Sequence, residues 1–129
     1  MGLDMFAYRV NKAKVIDDFD FKKPEGAMNE DWYWRKNRHL HNFMFIIWNE
    51  KKGGTETRDH FNCEFVRLDE DDLDRLEQAI NNRKLPDDHG FFFGDFEYDD
   101  QQAADDLQFV KEARQSIRDG DAIYYSSWW

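Results

Sequence analysis

Two rhythms of apolar and polar positions run along this chain, and they divide it into helices and strands. Residues 29–49 (N-E-D-W-Y-W-R-K-N-R-H-L-H-N-F-M-F-I-I-W-N) dominate the pattern, with three of the five tryptophans and two of the four histidines. At about 100° per residue, Tyr33, Leu40, Met44 and Ile47 share one face, bordered by Trp34, His41 and Trp48. Asn29 is an expected N-cap, followed by Glu30 and Asp31 where the helix dipole favours acids. The spacing therefore predicts a helix over 30–49, and makes it the most buried helix of the fold. The stretch 43–48 is apolar almost all round, so a strand over 43–49, turning at Gly53 and Gly54, is the alternative.

The flanking segments read more simply. Residues 3–10 alternate as a strand, with Met5, Ala7 and Arg9 on one face and Phe6, Tyr8 and Val10 on the other. Residues 11–28 hold a charge cluster and the turn signal Lys23-Pro24-Glu25-Gly26, which predicts a loop. The charged, glycine-bearing stretch 50–60 is expected to be an exposed connection. Residues 61–68 read as a strand that points Phe61, Cys63 and Phe65 to one face. Asp69 is the N-cap of a second helix with the stripe Leu73, Leu76 and Ile80, Arg83 and Lys84 at its C-terminal end, and Pro86 as its stop. Two glycines bracket three rings at 90–94, which suggests a short extended segment. Asp99 caps a third helix over 100–118, with the stripe Ala103, Leu107, Val110, Ala113 and Ile117, and Gly120 ends it. Residues 122–129 form a last strand. The order β-α-β-α-α-β predicts a single α+β domain over 1–129, with about three helices on a small, mainly antiparallel sheet built from 3–10, 61–68 and 122–129.

Composition narrows the function classes. The 129 residues include 22 aromatic rings, so large side chains must build the core. Charge is divided unevenly: residues 1–60 carry 11 Lys+Arg against 10 Asp+Glu (net +1), and 61–129 carry 7 against 18 (net −11). An acidic second half argues against a nucleic-acid backbone binder. It serves solubility first, and secondarily suits a basic partner. The single cysteine excludes an internal disulfide and fits a reducing compartment. No signal peptide or membrane span is expected, which points to the cytoplasm.

Candidate chemistry is sparse. His39 and His41 are two apart, so on a helix they diverge and cannot chelate one ion together. His41 with Cys63 is a conceivable nucleophile pair, but a cysteine within a strand is ordinarily a small core residue. The 90–94 segment lacks the Lys-Ser/Thr of a phosphate loop. Trp34, Arg38 and His41, spaced i, i+4, i+7, would show an aromatic helix face with cationic neighbours. No catalytic residue, metal or cofactor is expected.

M-G-L-D-M-F at 1–6, Y-W-R-K at 33–36 with His41 after it, G-F-F-F-G at 90–94 and Y-Y-S-S-W at 124–128 occur in that order. In these motifs the chain resembles a family of small bacteriophage and prophage proteins whose members open on M-G-L-D-M-Y. The match runs through nearly the whole chain. It departs at Arg38, where asparagine is usual, so no role can rest on a neutral amide there. The resemblance brings no activity with it; it implies a phage or mobile-element product in a bacterial host. Trp34, Arg35, Lys36, His41, Tyr98, Tyr125 and Trp128 mix rings with charge and form the candidate binding set. A core alone would not need Arg35 and Lys36, although both could tie the first helix to Asp4, Asp95 or Glu97. The expected function is a non-enzymatic accessory protein that binds a host or phage macromolecule. The rival is a small-ligand or nucleotide-processing protein with a pocket between helix 30–49 and the 90–94 loop.

Overall fold

The computed structural model of the chain describes residues 2–86 and 97–129. Strand β1 (Asp4–Asn11) pairs along its full length with β6 (Asp121–Trp128), from Asp4 opposite Trp128 to Asn11 opposite Asp121. Strand β4 (Trp32–Arg35) lies on the outer side of β1, and β5 (Val66–Leu68) on the outer side of β6. All three pairings of this β4-β1-β6-β5 sheet are antiparallel. A small hairpin of β2 (Val15–Asp17) and β3 (Asp20–Phe21) sits apart from it. With helices α1 (Arg38–Lys52), α2 (Glu70–Asn81) and α3 (Asp100–Arg118), the domain is α+β as the sequence predicts.

Period-two alternation sends side chains to opposite faces of the sheet, and each face has its own core. Leu3, Met5, Ala7, Ile123 and Tyr125 meet the three helices in the main core. Tyr8, Val10, Phe21, Ala122 and Tyr124 form a second cluster under the hairpin, with Phe6 and Phe65 packed against it. Tyr124 fixes the hairpin by donating its hydroxyl to the backbone oxygens of Asp17 (2.5 Å) and Asp20 (3.1 Å). The 11–28 segment is therefore not the plain loop expected. Its reversal uses the Asp17 side chain, which accepts from Phe19 N–H at 2.8 Å, a turn with no glycine to announce it.

The largest correction falls on the first helix, which begins at Arg38 and not at Glu30. Residues Trp32–Arg35 form a strand instead, with Trp34 buried and Tyr33 and Arg35 exposed. The rings of W-Y-W suit a pleated, half-covered surface, and pairing with β1 overrides the cap signal at Asn29. Lys36 then turns the chain at φ +58, and Asn37 is the working N-cap, its Oδ1 accepting from Leu40 N–H at 3.2 Å. From there the helical expectation holds through 43–48, against the strand alternative, and Gly53 at φ +112 closes the helix. Residues 38–45, 47 and 48 are all buried, a far higher share than in α2 or α3. The Trp34-Arg38-His41 helix face does not exist, because Trp34 lies on β4.

The 61–68 strand is shortened to Val66–Leu68, behind a 3-10 turn over Arg58–Phe61. Cys63 adopts φ +65 and is exposed, so it is no core residue. That kink carries the chain from the main core at Phe61 to the hairpin side at Phe65. Helix α2 opens with a full capping box, Asp69 and Asp72 each accepting from the other's backbone N–H. It ends at Asn81, before Arg83 and Lys84, because Arg83 at φ +53 folds the chain back and Lys84 N–H donates to Ala79 at 2.8 Å. Helix α3 runs between the limits expected. The 90–94 segment and Asp95 lie outside the described residues.

Lys36 offers a direct test of the turn into α1. A left-handed backbone costs an ordinary residue about 1–2 kcal/mol, most of which glycine avoids. Lys36→Gly is expected to hold stability or raise it by up to about 1 kcal/mol, and Lys36→Val to lower it by about 1 kcal/mol or more. Urea unfolding measures both. A clear loss in the glycine variant would mean that the lysine side chain holds the fold.

Candidate functional site

The seven residues singled out from the sequence lie in three places. At the first, Trp34 and Tyr98 meet on Asp106, a carboxylate of α3 with no exposed surface. Trp34 Nε1 (3.0 Å) and Gln102 Nε2 (2.8 Å) donate to Oδ1. Asn37 Nδ2 (3.1 Å) and the Tyr98 hydroxyl (2.5 Å) donate to Oδ2. Asn37 thus caps α1 with its oxygen and joins it to α3 with its nitrogen. Burial pushes the Asp106 carboxyl upward, against the pull of its four donors. Burial and then the charge of Asp106 drive the Tyr98 hydroxyl far above the usual phenol range, so it remains a donor. Both oxygens are saturated by the protein itself.

At the second place, His41 and Tyr125 form a sealed pair. Neither has exposed surface, and His41 Nδ1 lies 2.7 Å from the Tyr125 hydroxyl. The His41 ring stacks on Phe61, with centroids 5.2 Å apart, and meets the edge of Trp129 at 5.0 Å. Burial lowers its pKa to about 3, so it stays neutral at physiological pH. Cys63, by contrast, is exposed. Among the described residues, no group of three or more His, Cys, Asp and Glu side chains could hold a metal ion.

The third place faces outward. Asp4 on β1 stands directly between Arg35 on β4 and Trp128 on β6, and Phe6 stands between Tyr33 and Ser126. The Tyr33 hydroxyl donates to Asp4, and Arg35 Nη1 lies 3.5 Å from the same oxygen. The Arg35 guanidinium lies over Gly2, where an added Cβ would come within 2.9 Å of Nη2. The Phe6 ring packs on Tyr33, with centroids 5.6 Å apart. Trp128 is 62% exposed and Tyr33 49%. Among the described residues these are the two most exposed of the Phe, Tyr and Trp side chains, and they occupy one patch.

Beside the patch, β4 is the edge strand of the sheet among the described residues. Lys36 N–H donates to Leu3 O at 2.9 Å, and the register continues with Met5 opposite Trp34 and Ala7 opposite Trp32. Bonded and non-bonded pairs alternate in an antiparallel ladder. The N–H and C=O groups of Tyr33 and Arg35 therefore point away from β1, toward a groove of about 370 Å³ lined by Trp32, Trp34, Gln102, Asp105 and Phe109. The opposite edge is closed, because Arg67 N–H on β5 donates to Asp18 O at 2.7 Å.

The structure thus joins Trp34 to Tyr98, His41 to Tyr125, and Arg35 to Trp128, and it leaves Lys36 at the turn between them. Sequence reasoning missed Asp106, Asn37, Gln102, Tyr33 and Phe6. One signal was present: Asp106 falls three residues after Ala103 on the stripe that α3 buries, where a carboxylate needs partners. A smaller pocket of about 160 Å³ beside the start of α1 is lined by His39, Ala79, Ile80, Arg83, Leu85 and Tyr98. That lies below the range of about 300–1,000 Å³ usual for small-molecule sites.

No protein-family model, curated protein or solved structure matches this chain. Among the described residues, no helix is long and apolar enough to cross a membrane.

Proposed function

We propose that this chain is a phage or prophage accessory protein that acts by binding a host or phage protein and catalyses no reaction. The patch of Tyr33, Phe6, Arg35 and Trp128 is the docking surface, and the observation that carries the reading is the joint exposure of Trp128 and Tyr33 around Asp4. Tryptophan, tyrosine and arginine are the residues that most often dominate interface energies. The open edge of β4 supplies backbone donors and acceptors to an extended segment of the partner, as in recognition by strand addition. Alternate side chains of that segment would meet the aromatic patch and the groove beside α3. The interior histidine and carboxylate support the reading by being sealed, since each already has its partners inside the fold.

The test is capture of partners from host lysate by tagged wild type, Trp128→Ala, Tyr33→Ala and Ile16→Ala. Ile16 is 56% exposed on the hairpin and serves as the control. A protein held by wild type and by Ile16→Ala is expected to bind each patch variant about tenfold or more weakly, the mark of a hot spot. Its binding should survive ~0.5 M salt in large part, because rings and backbone bonds are screened less than surface charges. Recovery of no partner, or equal recovery by the patch variants, overturns the reading.

A further inference from the structure

On the other side of the molecule, a groove of about 340 Å³ runs between β1 and the segment that follows the hairpin. Its inner wall is Tyr8, Val10 and Phe21, and its rim includes Arg9, Lys14, Lys22 and Met28. Among the described residues three cations and no carboxylate line it, in a chain whose formal charge is −10. Lys14 and Lys22 sit opposite each other: Val15 pairs with Phe21, and Lys22 N–H donates to Lys14 O at 2.8 Å. Like charges directly opposed across a strand pair destabilise it. Elsewhere Lys23, Lys51, Arg75, Arg114 and Arg118 all find carboxylates within 4 Å. Lys14 and Lys22 have none among the described residues. The acids nearby are already engaged or stand outside the lining. Asp31 accepts from the Arg9 backbone and side chain at 2.7 and 3.4 Å, and Glu30 acts on Tyr8 by its charge.

We propose that this groove binds a phosphorylated small molecule, its phosphate held between Lys14 and Lys22 and its body lying along Tyr8, Val10, Phe21 and Met28. An ammonium binds phosphate as a point charge, and both lysines line this groove with no carboxylate partner of their own among the described residues. The volume is at the low end of small-molecule sites, which suits a ligand the size of a nucleoside monophosphate. The site is independent of the aromatic patch and stands or falls without it.

Calorimetric titration tests the assignment with AMP, inorganic phosphate and adenosine as probes, on wild type and on the double variant Lys14→Gln, Lys22→Gln. AMP is expected to bind wild type at least tenfold more tightly than either phosphate or adenosine, because only AMP engages both halves of the groove. The double variant should weaken AMP at least tenfold, and ~0.5 M salt should weaken it in wild type. Its urea midpoint without ligand should equal or exceed that of wild type, since the opposed charges are gone. The proposal is overturned by any of three results. These are absence of AMP binding at about 5 mM, above the millimolar range of weak ligands; equal binding of AMP and phosphate; or unchanged AMP binding in the double variant.

Discussion

Asp106→Ala is expected to lower stability by about 3–5 kcal/mol, the range seen when one member of a buried charged network is removed. The carboxylate has no exposed surface and accepts from four side chains that reach it from β4, the start of α1, the segment before α3, and α3 itself. Removing it strands all four donors in the interior, where each unsatisfied group costs about 1–3 kcal/mol less whatever relaxation recovers. Asp106→Asn keeps the volume but turns an NH2 group toward two donors, so it too should lose more than about 2 kcal/mol. Tyr98→Phe removes one donor of the four and should lose only about 1 kcal/mol. Urea unfolding at neutral pH ranks the three. A loss below about 1 kcal/mol for the alanine variant would show that the network does not hold α1 to α3.

Acid is expected to unfold this protein early, and His41 is the reason. Its folded pKa is about 3 against an ordinary 6.5, so between these values the unfolded chain binds the extra proton. Stability therefore rises with pH across that window and falls as pH drops below 6.5. The slope approaches about 1.4 kcal/mol per pH unit, and the full loss by pH 3 is about 4–5 kcal/mol. Asp106 works in the opposite sense, because a carboxyl raised by burial takes up its proton more readily in the fold as pH falls. Asp20, Glu50, Asp59 and Glu112, whose folded values are lowered, add to acid loss only nearer the carboxylate range. The stretch from pH 6.5 to 5 is thus the diagnostic one. His41→Leu, made with Tyr125→Phe so that no hydroxyl is stranded, should flatten it. An unchanged slope there would assign the acid sensitivity to other groups.

The sequence was most legible where local chemistry and tertiary structure agree. Asp69 with Asp72, and Asp99 with the stripe from Ala103 to Ala113, set α2 and α3 by caps and periodicity that nothing contradicts. It misled where two local signals competed. Asn29 followed by two acids looks as good a cap as Asn37, and only the register of Trp32 and Trp34 against Ala7 and Met5 decides between them. Four residues are too few for a period of two to declare itself against 3.6. Cys63 at φ +65 breaks an alternation that its neighbours keep up on paper. The candidate set mixed inward-facing rings with the outward-facing Trp128 and could not sort them, because facing inward or outward on β4 and β6 depends on parity within a sheet not yet known. Arg35 shows the consequence. Its partner Asp4 was among the expected carboxylates, yet the pair is exposed and is worth at most about 1 kcal/mol.

The position of β6 has a consequence for how the molecule is made. The strand that lies between β1 and β5 is residues 121–128, so a ribosome delivers the middle of the sheet after the pieces on both sides of it. Until then Met5 and Ala7 on β1 have a neighbour only on the β4 side, and Val66 and Leu68 on β5 lack the strand that joins them to the sheet beneath the helices. The hairpin in turn lacks Tyr124, its anchor. Contacts so distant in sequence form late and slowly. The nascent chain must therefore carry uncovered apolar strands until residues 121–128 have been made, the condition in which chaperones engage and in which a stalled or truncated product aggregates.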